Sequence, residues 1–71
     1  MKNANEFTAI LKDIMLDKEI NQVQLAQKAG VKPAQVSEWL SGKSKPGYDN
    51  LKALALALNV SADVLLGIEP Y

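Results

Sequence analysis

Residues 21–46 read NQVQLAQKAGVKPAQVSEWLSGKSKP, and the punctuation of this stretch decides the fold. Asn21 is followed three positions later by Gln24, the spacing at which two side chains satisfy the free amides of a helix start reciprocally. Ile20, just outside that start, is placed to staple against Leu25. Gly30 supplies the left-handed residue that ends a helix, and Val31 behind it can pack back on Ala26. A short helix from Gln22 to Ala29 is predicted. Pro33 suits the first turn of the next helix, because the amide it lacks would be unpaired there. Val36, Trp39 and Leu40 then form one apolar stripe, and Gly42 ends the helix. The opposite stripe, Ala34, Ser37, Glu38 and Ser41, is small and polar, so it faces solvent or a partner. GKSKPG is a turn by composition.

Working outward, Phe7, Ile10, Leu11 and Ile14 recur at helical spacing with Thr8, Lys12 and Asp13 between them, which predicts a first helix from Glu6 to Lys18 capped by Asn5. Downstream, Gly47 is an acceptable cap for a helix from Tyr48 to Leu58 whose Leu51, Leu54, Ala55 and Leu58 point to the core. Asn59 can take the left-handed stop conformation, Ser61 can cap again, and a last short helix from Ala62 to Leu66 closes at Gly67. The tail, IEPY, reads as frayed or as used for contacts. No alternating β pattern, repeat or low-complexity tract interrupts this. The predicted fold is a single all-α domain of five short helices, with a core over residues 6–67, a tail over 68–71 and a helix-turn-helix at helices 2 and 3.

Composition narrows the function classes. A chain of 71 residues has room for one modest core and not for a deep enclosed active site. It has no cysteine and no histidine, which removes disulfides, zinc sites and the commonest acid/base and nucleophile pairs. The carboxylates and lysines are scattered without a nucleophile–base pair, so the expectation is no enzyme, no cofactor, no metal and no evident small-molecule ligand. No apolar run approaches the roughly 18 residues of a spanning helix, and the N-terminus lacks a signal-peptide core, so a cytoplasmic setting away from membranes is expected. Net charge is zero, yet it is unevenly distributed. From Ile20 to Tyr48, four lysines (Lys28, Lys32, Lys43, Lys45) face one acid, Glu38, giving +4 − 1 = +3. The flanking segments carry the balancing −1 and −2.

Three pieces in order, NQxQLAxKAGV, then VSxWLSGKSKP, then LxxLAxALNVSxDxLLG, make the chain similar to the lambda-repressor-like family of phage repressors, Cro proteins and small bacterial regulators. The resemblance runs from about Phe7 to Gly67. It implies that Gln22 to Ala29 is a positioning helix and Pro33 to Ser41 a recognition helix, which enters the major groove while its neighbour crosses the phosphates. On that resemblance, Gln22 contacts the backbone and braces the recognition helix. Lys32, Pro33, Ala34, Gln35 and Glu38 face bases with Ser37 beside them, and Ser41, Lys43 and Lys45 contact phosphates. Trp39, on the apolar stripe, is read as core rather than as a base-stacking residue.

Departures from the family pattern thin the expected base readout. The recognition-helix cap, usually Ser or Thr, is Lys32. Pro33 and Ala34 offer only apolar contact, such as with a thymine methyl, and Glu38 either accepts from a cytosine amino group or pairs with Lys43 or Lys45. The chain has no arginine, so bidentate guanine reading by that residue is excluded. Phosphate contacts and DNA shape are therefore expected to carry much of the selectivity. Leu56 lies off the core stripe, where the family usually has a polar residue, and is read with Ile68 and Tyr71 as a homodimer interface. The functional expectation is a sequence-specific DNA-binding transcriptional regulator, a repressor acting as a homodimer on a near-palindromic operator. The alternative is an antitoxin-type or antirepressor-type module that keeps the fold and binds a protein.

Overall fold

The computed structural model describes residues 6–71. Its helices are α1 (Glu6–Lys18), α2 (Gln22–Ala29), α3 (Pro33–Ser41), α4 (Tyr48–Leu58) and α5 (Ala62–Leu65), with no strand among the described residues. The Asn5 cap expected for α1 lies outside the described residues. The other boundaries follow the local chemistry. Asn21 Oδ1 accepts from the Gln24 amide at 2.8 Å while Gln24 Oε1 accepts from the Asn21 amide at 2.9 Å, a complete reciprocal cap. Gly30 is left-handed at φ 73°, and the Val31 amide donates to the Ala26 carbonyl at 3.0 Å. Asn59 (φ 56°) closes α4 in the same conformation, and the Ser61 hydroxyl caps α5 by accepting from the Val64 amide at 3.3 Å.

One boundary differs from the sequence reading: helix α5 stops at Leu65, one residue short, and Leu66 forms a right-handed cap whose amide donates to the Ala62 carbonyl. Helix α1 ends at Lys18 as expected, but it is stopped without glycine or asparagine: Glu19 takes φ 55°, and the Ile20 amide reaches back to the Met15 carbonyl at 3.0 Å. A left-handed non-glycine residue costs roughly 1–2 kcal/mol. Half-buried Ile20 joins the core immediately afterwards, and that packing opposes the cost.

Leu11, Ile14, Leu25, Val36, Leu54, Leu58 and Leu65 are fully buried, so every helix contributes to one core. Helix α2 packs on α3 and α4, while α1 packs on α3 and α5. Phe7, Ile10, Leu40, Leu51 and Ala55, expected inside, are half-buried around that centre. The tail is held by contacts. The Ile68 and Glu69 amides donate to the Asp63 carbonyl at 2.8 and 3.2 Å, Ser61 Oγ donates to Glu69 Oε1 at 2.9 Å, and Tyr71 Oη donates to Asp17 Oδ2 on α1 at 2.5 Å.

Candidate nucleic-acid interface

Helix α3 is fixed from behind and left open in front. Val36 and Trp39 are buried in the core, Trp39 with only 2% of its surface exposed. A third anchor was not legible in the sequence: Thr8 of α1 is buried, and its Oγ1 donates to the Trp39 carbonyl at 2.7 Å. That carbonyl belongs to the last turn of α3, where acceptors lack intrahelical partners, and it otherwise receives the Gly42 amide at 3.3 Å. Thr8 therefore ties α1 to the end of α3. Its position between apolar residues looked polar and outward-facing, and nothing local to it marks a carbonyl 31 residues away.

The front of α3 carries the expected residues. Lys32, Pro33, Ala34, Ser37, Glu38 and Ser41 are exposed, as is Gln22 at the start of α2. Gln35 is half-buried, and its Oε1 accepts from the Lys32 amide at 3.2 Å. It thus serves the helix start that Lys32 cannot cap, since an ammonium has no acceptor. Its amide –NH2 group retains both donors.

The turn after α3 is organised by Glu38. Gly42 is left-handed at φ 79°, which lets the amides of Lys43 and Ser44 return to the Glu38 carbonyl at 3.0 and 3.4 Å. Ser41 Oγ donates to the same oxygen at 3.1 Å, so a phosphate contact by Ser41 requires that hydroxyl to turn outward. The Glu38 carboxylate accepts from Ser44 Oγ at 3.2 Å. Ser44, between Lys43 and Lys45, is thus the partner that orients this acid, and both lysines are exposed on a turn braced against α3. The braced turn carries two exposed lysines, each next in sequence to the serine that binds the Glu38 carboxylate.

The three residues read as a homodimer interface are all exposed but do not share one hollow. Leu56 lines a shallow apolar hollow with Tyr48, Leu51, Lys52, Ala55 and Ala62. Ile68 and Tyr71 line another, against Glu6, Ile10 and Asp13 of α1. The Tyr71 phenol is held above its ordinary pKa of 10.0, chiefly because its proton is shared with the Asp17 carboxylate.

Among the described residues, no cluster of metal-ligating side chains is present and no helix is long and apolar enough to cross a membrane. The helix-turn-helix family model matches residues 11–65. Among curated proteins, the chain is 34% identical over 64 residues to the HTH-type transcriptional activator BcrR of Enterococcus faecalis, covering 90% of this chain and 31% of that protein. The chain thus spans about a third of the length of the curated relative it matches. With α2 and α3 packed together as a helix-turn-helix, and with the family match spanning α1 into α5, the chain belongs to the lambda-repressor-like helix-turn-helix family.

Proposed function

We propose that this chain is a DNA-binding transcription regulator that lays α3 in the major groove as a homodimer on a near-palindromic site. The observation that carries the reading is the two-sided construction of α3, with its rear locked by Val36, Trp39 and the Thr8 bond and its front exposed beside the braced lysine turn. Gln22, Lys43, Lys45 and Ser41 supply backbone contacts, while Lys32, Gln35, Ser37 and Glu38 read base edges and Pro33 and Ala34 offer apolar contact. Two copies engage successive major grooves roughly 34 Å apart. If Lys32 adds a phosphate contact to those of Lys43 and Lys45, three lysines per copy neutralise about six charges in a dimer, which lowers affinity by ~10³ between 50 and 200 mM salt.

Repression follows if the dimer occupies a site that polymerase needs. The curated relative is named an activator, and the same docking serves that role when the site lies beside polymerase instead of under it. The exposed, donor-poor front of α3 also keeps a protein-binding module of antitoxin type in view. Selection of bound sites from random DNA at two salt concentrations separates the two: a sequence logo with a steep salt slope supports DNA recognition, and no enrichment at low salt refutes it.

A further inference from the structure

We propose that Ser44 is a positioning residue for base readout: by holding the Glu38 carboxylate, it makes α3 select a G·C pair through the cytosine amino group. The proposal rests on the DNA-binding reading above and adds to it a residue that lies outside α3. Ser44 meets Glu38 through both its backbone and its side chain. Its amide donates to the Glu38 carbonyl at 3.4 Å, and its hydroxyl donates to Glu38 Oε1 at 3.2 Å. The left-handed turn at Gly42 makes the first bond possible, and Ser44 itself is half-buried, so the hydroxyl reaches the acid from a fixed origin. Among the described residues the carboxylate has no other hydrogen bond and no ion pair. Ser44 is therefore what limits where this long, exposed side chain sits.

An ionised carboxylate only accepts, so its partner at a base edge must donate. In the major groove guanine shows N7 and O6 and thymine shows O4, all acceptors that a carboxylate repels. Adenine sets its N6 donor beside the N7 acceptor, whereas cytosine offers its N4 amino group without a neighbouring acceptor on the same base. Glu38 therefore favours cytosine. Because the chain has no arginine, reading a G·C pair from the cytosine side replaces the guanine contact that arginine would make. Such selectivity works by repulsion as much as by attraction: phosphates oppose the negative charge on every sequence, and only the correct base offsets that opposition. It requires the carboxylate to stay in register with one base pair. A free glutamate turns away from a wrong base into solvent at little cost, whereas one held by Ser44 meets the mismatch. Holding it also removes in advance part of the side-chain freedom that binding would otherwise take away.

Site selection from random DNA on the parent and on Glu38→Ala identifies the position at which a preference for cytosine depends on Glu38. Duplexes carrying each possible base pair there then compete for the parent, Ser44→Ala, Ser44→Thr, Glu38→Ala and the double variant of Ser44→Ala with Glu38→Ala. Ser44→Ala should lower the cytosine preference at that position by about two- to tenfold, the worth of one pre-ordered side chain, and leave the preferences at other positions as they were. Ser44→Thr keeps the hydroxyl and should restore the preference. In the absence of the Glu38 carboxylate, Ser44→Ala should change nothing at that position. A turn residue with a purely structural role, or a phosphate ligand, would weaken all duplexes alike. Such a uniform loss overturns the proposal, as does an unmoved preference in Ser44→Ala or an effect that persists without Glu38. A parent logo with no Glu38-dependent cytosine position overturns it while leaving DNA recognition in place. No enrichment by the parent at low salt refutes the DNA-binding reading and this proposal together.

Discussion

Replacing Thr8 by valine tests whether α3 is held by a hydrogen bond or by packing alone. Valine keeps the shape and removes the donor, leaving the Trp39 carbonyl with the Gly42 amide at 3.3 Å in place of a hydroxyl at 2.7 Å. A neutral bond contributes about 0.5–1.5 kcal/mol net, and a buried acceptor stripped of its partner costs ~1–3 kcal/mol. Since the carbonyl retains one weak donor, the expected loss is about 1–2 kcal/mol. For a chain of this length total stability is roughly 4–10 kcal/mol, so the change is a substantial share of it. At ~4–8 °C per kcal/mol, Tm should fall by roughly 5–15 °C. Thermal and urea unfolding monitored by circular dichroism measure both quantities. Thr8→Ser is the control: it keeps the hydroxyl and loses one methyl, which costs about 0.8 kcal/mol of burial. If Thr8→Val is as stable as the unmodified protein, the bond does not anchor α3 and the account of its rear face is wrong. A companion measurement is DNA affinity well below both Tm values. Loosening α3 should weaken binding while leaving the salt slope unchanged, because no phosphate contact is removed.

Further perturbations address single features. The pair Lys43→Ala and Lys45→Ala should weaken all duplex sequences about equally and reduce the magnitude of the salt slope by about 2 per chain, read from binding isotherms across a salt series. An unchanged slope would place both lysines away from phosphates. Gly30→Ala should destabilise by ~1 kcal/mol in denaturant titration. Its φ is 73° and no atom lies within 4 Å of the added Cβ, so backbone strain alone acts. Asn21→Ala removes one half of the α2 cap and should cost about 1 kcal/mol in the same titration, with Asn21→Ser recovering most of it. Tyr71→Phe should alter the alkaline limb of stability. The folded-state phenol titrates above 10.0, so its contribution is intact below that pH and falls away as pH rises through the raised value. The phenylalanine variant should therefore lose less stability than the parent above pH 10.0, and parallel pH profiles would show that the Asp17 bond does not stabilise the fold.

The sequence by itself determined the helices and most of their ends, because those depend on interactions within four or five residues. Asn21 with Gln24, Gly30, Pro33, Gly42, Asn59 and Ser61 each act on amides or carbonyls of their own turn, and each sits in the structure where that local chemistry requires. Helical periodicity likewise identified the buried side of α3 and the exposure of Leu56. The exposed stripe of Ala34, Ser37, Glu38 and Ser41 followed from the same spacing. What tertiary structure decided are the pairings between elements. Thr8 is a polar residue in a helix until α3 brings the Trp39 carbonyl to it. Glu38 had two lysines as possible partners, and the left-handed turn at Gly42 delivered Ser44 instead. The stop at Glu19 carries no residue type that favours φ 55°, and Ile20 entering the core accompanies it. Leu56, Ile68 and Tyr71 looked like one exposed apolar set, but the tail folds onto α1 and separates them into two hollows. A capping residue and its amide are neighbours in every conformation of the chain, whereas a hydroxyl and a carbonyl on different helices meet only after the core has packed.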